Sequence, residues 1–119
     1  IVKIHNFIEN PYPLLKQSDI FILSSKYEGL PNVLLESAVL KKIIISSDCP
    51  TGPKEILLNG KGGLLFKVGD YKDLSKKIVY CLKNIKKMKK KSSFLYKNLK
   101  RYDYEANMKK YHSVIERFL

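Results

Sequence analysis

Hydrophobic positions in the first half of the chain fall into short continuous runs, each bounded by polar or turn-forming residues. Asp19–Ser25 encloses IFIL, and Ile43–Ser46 reads IIIS. Unbroken rather than alternating apolarity predicts strands covered on both faces. GLLFK at Gly63–Lys67 predicts a shorter third strand, and the weak alternation of Ile1–Ile4 reads as the end or remnant of another. Between the runs lie helical signals. A loop with two prolines, Asn6–Pro13, leads into a short helix near Leu14–Gln17. A breaker-free stretch from Pro31 to about Leu40 is closed by Lys41 and Lys42, which suit the negative end of the helix dipole. Pro53 can open another short helix over Lys54–Leu57, and Asn59–Gly63 is turn chemistry.

Strand, helix, strand, helix, strand at this spacing argues for parallel pairing through crossovers. The later sequence changes period. Asp70 is a good N-cap with Asp73 three residues on, and Tyr71, Leu74, Ile78, Leu82 and Ile85 recur at helical spacing. That stripe predicts a helix with one face on the sheet. A further helix is expected from about Ser92, as its cap, to Lys100. A last one carries Tyr104, Met108, Tyr111, Ile115 and Phe118 on one side. The predicted fold class is α/β: a partial Rossmann-like parallel sheet of about three to four strands, with flanking helices and a helical C-terminal tail.

Composition sets the bounds. The 119 residues suffice for one modest domain, and 45% hydrophobic content fits a globular chain. No apolar run approaches the ~20 residues of a membrane span, and the opening IVKIHNF does not read as a signal peptide. Without an initiator Met, the chain is expected to be part of a longer protein. Cys49 and Cys81 have no CxxC or His cluster beside them and read as free thiols. His5 and His112 are isolated. The formal charge of +12 is concentrated between Lys83 and Arg101, where no acidic residue occurs. Such a stretch suits anionic lipid, nucleic acid or plain solvation.

The chemistry concentrates in YEGLPNVLLE, Tyr27–Glu36. Glu28 and Gly29 read as a turn, Pro31 as the first residue of a helix, and Glu36 as one turn past Asn32 on the same face, about 6 Å along the axis. One carboxylate thus precedes a helix N-terminus, a second lies within the helix, and free N–H groups lie between. Those N–H groups favour an anion such as phosphate. Flanking carboxylates make sense if the ligand carries hydroxyls on both sides of that phosphate, as a nucleotide-sugar does. The plain alternative is a solvated loop Glu28 and a surface-helix Glu36.

The surrounding text, SDIFILSSKYEGLPNVLLESAVLKKIIISSDCPTGPKEIL, resembles the C-terminal domain of family-4 retaining glycosyltransferases of the GT-B fold. The likeness comprises two glutamates separated by seven residues, an Asp-led apolar strand before them, and a second strand ending in Ser-Asp and a Gly-containing turn. It is good over roughly Asn10–Asp70 and looser beyond. It implies that residues 1–119 are the C-terminal part of the donor-binding domain, without the N-terminal acceptor domain. Glu28 is then the catalytic-site carboxylate on hydroxyls of the transferred sugar, and Glu36 binds the ribose. Gly29, Leu30, Pro31 and Asn32 approach sugar and diphosphate, with Val33 packing near the ribose. Tyr27 lies beside the site or packs. For Asp48, Thr51 and Gly52, turn formation is favoured over a ligand role, and Glu55 reads as a helix N-terminal acid.

The implied reaction is transfer with retention to a cell-surface glycan or lipid-linked acceptor. The DCPTGP loop resembles users of UDP-hexoses or their N-acetylated forms more than others. No Asp-x-Asp motif is present, so no metal or other cofactor is expected. The basic residues that family members use for the leaving diphosphate, and the acceptor domain, are not in this chain, so no turnover is expected from it alone. The location implied is cytoplasmic, peripheral on the inner face of the membrane. The competing reading is a basic interaction module that binds anionic membrane or nucleic acid through Lys83–Arg101. Phe94, Tyr96 and Tyr102 are available for stacking, but no nucleic-acid motif accompanies them.

Overall fold

A computed structural model describes residues 2–118. Three strands, β1 (Ile20–Leu23), β2 (Ile43–Ser47) and β3 (Leu64–Phe66), form one parallel sheet in the order β1-β2-β3. Among the described residues six helices accompany it: α1 (Tyr12–Gln17), α2 (Asn32–Val39), α3 (Pro53–Ile56), α4 (Tyr71–Lys83), α5 (Ile85–Asn98) and α6 (Tyr104–Ile115). A 3-10 turn, Leu99–Tyr102, links the last two. The α/β class and the parallel pairing expected from the sequence are present.

Register explains how the sheet positions its loops. Ile20 stands beside Ile43, and Leu23 beside Ser46; Ser47 stands beside Phe66. The carboxyl ends of all three strands therefore open on one edge. β2 is central and every one of its residues is buried. One side of the sheet packs Ile44 against Leu34 and Ala38 of α2, Ile56 and Leu57 from α3 and its cap, and Leu95 of α5. The other packs Ile43, Ile45 and Phe66 against Cys81 of α4 and Met88 of α5. Helix α5 thus contributes to both cores.

Several sequence expectations are corrected. Residues 2–4 form no strand: Val2 and Ile4 are exposed and have no strand partner among the described residues, and Ile1 lies outside them. β1 is not covered on both faces, because it is an edge strand and Ile22 is 38% exposed. Pro31 is the N-cap of α2 rather than its first helical residue, with φ −73° and ψ 95°. Lys41 and Lys42 follow α2 as a Schellman turn: Lys41 N–H donates to Ala38 O and Lys42 N–H to Ser37 O, both at 3.0 Å. Lys41 takes the left-handed conformation there, φ +53°.

In α4, Asp70 caps as expected, accepting from Asp73 N–H at 2.9 Å. The Asp73 carboxylate does not return the bond; it contacts Lys67 N–H at 3.4 Å and Lys77 Nζ at 2.7 Å. Leu74 and Ile78 face the core, while Tyr71 and Leu82 are exposed and Cys81 takes the buried position. Ser92 caps nothing, since it lies buried in the middle of a helix that already begins after Asn84. On α6, Tyr104, Met108, Tyr111 and Ile115 are exposed, as is Phe118 beyond it. Among the described residues no helix is long and apolar enough to cross a membrane.

Candidate functional site

Two loops leave the carboxyl edge of the sheet and touch each other. The first follows β1 and runs from Ser24 to Pro31; the second follows β2 from Asp48 to Gly52. Their contact is made by hydroxyl groups. Ser47 Oγ, at the end of β2, donates to the Ser25 carbonyl at 2.6 Å, and Thr51 Oγ1 donates to the Glu28 carbonyl. Ser25 Oγ in turn donates to Glu28 Oε1 at 2.5 Å. Glu28 is therefore held at both its main chain and its carboxylate.

Gly52 is required by the same contact. Its φ is +85°, where an L side chain is strained. A Cβ there would strike the Gly29 carbonyl oxygen and come within 2.6 Å of Pro31 Cδ. Gly29, by contrast, has open space where a Cβ would stand.

The helix tip follows directly. Pro31 is buried and its carbonyl accepts from Leu34 N–H at 2.9 Å. Asn32 is exposed and Val33 half-buried. The N–H groups of Asn32 and Val33, first in α2, precede the helical ladder and have no backbone acceptor among the described residues. Leu34, Ser37 and Ala38 define the buried side of α2. Glu36 lies on the opposite side, four residues and about 6 Å beyond Asn32, half-buried, with no ion-pair partner among the described residues.

The structure thus brings Glu28, Gly29, Leu30, Pro31, Asn32 and Val33 together in one loop and helix tip, with Glu36 one turn along. Tyr27 is 81% exposed, so it does not pack. Asp48 pairs with Lys54 at 3.7 Å on the surface, and Glu55 is exposed in the first turn of α3. Sequence reasoning gives Ser25 and Ser47 no site role and favours turn formation over a ligand role for Thr51, so the bracing of Glu28 by all three is not anticipated. The available signal was the paired hydroxyls at both strand ends, SS before KYEG and SS before DCPTG.

Chemically, the arrangement offers hydrogen-bond acceptors on either side of main-chain N–H donors at a positive helix end. It suits a ligand with an anionic centre and hydroxyl groups around it. Residues 2–100 match the family described as glycosyl transferases group 1. The chain belongs to that family.

Relatives within it agree. The chain is 51% identical over 49 residues to an uncharacterized glycosyltransferase of Methanocaldococcus jannaschii, covering 41% of this chain and 12% of that protein. It is 42% identical over 73 residues to the N,N'-diacetylbacillosaminyl-diphospho-undecaprenol alpha-1,3-N-acetylgalactosaminyltransferase of Campylobacter jejuni, covering 61% and 19%. The crystal structure of Anabaena HepE in complex with UDP superposes with a TM-score of 0.75 at 18% identity, over 89% of this chain and 29% of that chain. That likeness establishes the GT-B fold. The chain spans about a fifth or less of the length of these two curated relatives.

Proposed function

We propose that this chain is the C-terminal, donor-binding part of a family-4 retaining glycosyltransferase, whose acceptor domain lies outside residues 1–119. The observation that carries the reading is the position of Glu28 and Glu36 on either side of the unpartnered Asn32 and Val33 N–H groups. A diphosphate at the helix tip would accept from those N–H groups. Glu28 would accept from hydroxyls of the transferred sugar and Glu36 from the ribose. As the glycosidic bond to the leaving diphosphate breaks, negative charge grows on the phosphate oxygens, where fixed N–H dipoles stabilise it.

A UDP-sugar is the favoured donor. The DCPTGP loop and the fold shared with the UDP complex of HepE support that choice. The Campylobacter relative's diphospho-undecaprenol substrate supports a lipid-linked acceptor, with a cell-surface glycan as product. The same reading puts the enzyme in the cytoplasm, peripheral to the inner membrane face, a proposal that a lipid-linked acceptor supports. The chain carries no Asp-x-Asp motif, and transfer without a resident metal belongs to the same reading. Lacking an acceptor site, residues 1–119 alone would give no turnover.

The test is a thermal-shift and calorimetric screen of the full-length protein against UDP-, GDP- and ADP-sugars. A UDP-sugar is expected to bind, and Glu36→Ala to weaken it roughly tenfold to hundredfold, the worth of a hydrogen bond to a charged group. Unchanged binding in a folded Glu36→Ala protein would overturn the reading.

A further inference from the structure

Helix α5 has two faces of opposite chemistry. Met88, Ser92 and Leu95 are buried. Lys86, Lys90, Ser93 and Lys97 project from the other side at helical spacing, with Lys89 and Phe94 at its margins. Those six residues line a shallow open concavity of about 400 Å³. Phe94, its one aromatic ring, is 42% exposed.

The charge on this face is uncompensated. No Asp or Glu occurs between Lys83 and Tyr102, and none of Lys86, Lys89, Lys90 and Lys97 forms a salt bridge among the described residues. The remaining lysines of the helix have internal work. Lys91 Nζ donates to the Gly60 carbonyl at 2.7 Å, and Lys87 lies over the Tyr80 ring at 5.7 Å. The face sits at the end of the sheet away from Glu28. Leu95 and Lys91 meet Gly62 and Gly60 where the chain enters β3, and Lys41, just before β2, covers the Tyr96 ring at 4.4 Å.

We propose that this face of α5 binds an anionic lipid bilayer. This face presents four free ammonium groups around the exposed Phe94 ring, the pattern of an interfacial helix whose lysines meet lipid phosphates while the ring enters the headgroup boundary. Nucleic acid fits less well. A single strand needs several free rings to stack on; Tyr96 is 43% exposed, but one face of its ring already carries the Lys41 ammonium at 4.4 Å, and Tyr102 is half-buried against the core beneath Arg101 at 4.9 Å. The four cations are all lysines, without the planar fork that arginine uses for bidentate phosphate recognition. Docking through this end of the sheet leaves the carboxyl edge facing solvent. The proposal shares no residue with the Glu28–Glu36 site and stands independently of the donor reading.

Sedimentation of the full-length protein with phosphatidylglycerol-containing vesicles, against pure phosphatidylcholine vesicles, tests it. Binding is expected only with the anionic lipid, falling as salt rises. The double variant Lys90→Gln/Lys97→Gln should bind about thirtyfold more weakly, each lysine near a charged surface contributing roughly fivefold. Phe94→Ser should weaken binding further, and an unchanged thermal midpoint for both variants would show that the fold is intact. Equal binding to both vesicle types, anionic binding unaffected by the substitutions, or displacement from vesicles by a single-stranded oligonucleotide that binds more tightly would overturn it. Calorimetry with a UDP-sugar on the same double variant is expected to match the parent, which separates failure here from failure of the donor reading.

Discussion

The hydroxyl of Thr51 donates to the carbonyl oxygen of Glu28, 23 residues earlier in the chain. This bond joins the loop after β2 to the loop that carries the first carboxylate. Together with Ser47 on Ser25, it converts two separate turns into one braced edge.

Removing that hydroxyl should therefore affect the ligand more than the fold. Thr51→Val is expected to cost about 1 kcal/mol of stability, the usual net worth of one hydrogen bond. Donor affinity should drop several-fold as Glu28 loosens, and Thr51→Ser should restore it. Chemical denaturation and calorimetry on the same samples measure both effects.

Gly52→Ala should be harsher. The new Cβ meets Gly29 O and Pro31 Cδ, and φ +85° is unfavourable for alanine. A loss of about 2–4 kcal/mol is expected from the combined strain and overpacking. Gly29→Ala, with open space around its Cβ, should be milder by the same denaturant assay.

Leu95 tests the role of α5 in the core. It is fully buried and packs in the cluster with Leu34, Ile44 and Leu57. Leu95→Ala should cost about 2–5 kcal/mol, the range for emptying a leucine site. A midpoint shift below that range would mean that α5 collapses onto the space.

The thiols should be silent in the folded chain. Cys81 is fully buried, and burial pushes its thiol above the ordinary value, which disfavours the reactive thiolate. Cys49 is buried too. Alkylation with iodoacetamide at neutral pH should label neither until denaturant is added, as mass spectrometry would read.

Acid should weaken α4 at its start. The Lys77 ammonium bonded to Asp73 holds that carboxyl below its ordinary value of 3.8, although partial burial opposes the shift. A depressed folded value means the stabilisation is present above about pH 4 and fades as pH falls through the lowered value. Asp73→Asn should remove that part of the acid sensitivity in thermal melts. The carboxylate is open to water, so the effect should be small and reduced further by salt.

Much of this architecture was legible from local pattern. IFIL, IIIS and LLF are all strands, and Pro53 and Asp70 open or cap their helices as read. What escaped depended on neighbours distant in sequence. Nothing in IFIL says that β1 lies at an edge, so its outward Ile22 was expected to be covered. The break between α4 and α5 falls at Asn84, with neither Gly nor Pro to mark it, so local periodicity runs the earlier helix on to Ile85 and offers Ser92 as a later start. The glutamates could be placed because their spacing is local. Their braces could not, since Ser47 and Thr51 reach back 22 and 23 residues.

The position of β1 at the margin of the sheet has a practical meaning for handling the molecule. Its outer row of amide and carbonyl groups has no neighbouring strand among the described residues, and its four residues are all apolar. A bare margin of that kind is a template onto which another extended segment can add. Preparations of residues 1–119 by themselves should accordingly self-associate through this strand as concentration rises, and a lysine in place of Ile22 should keep them dispersed.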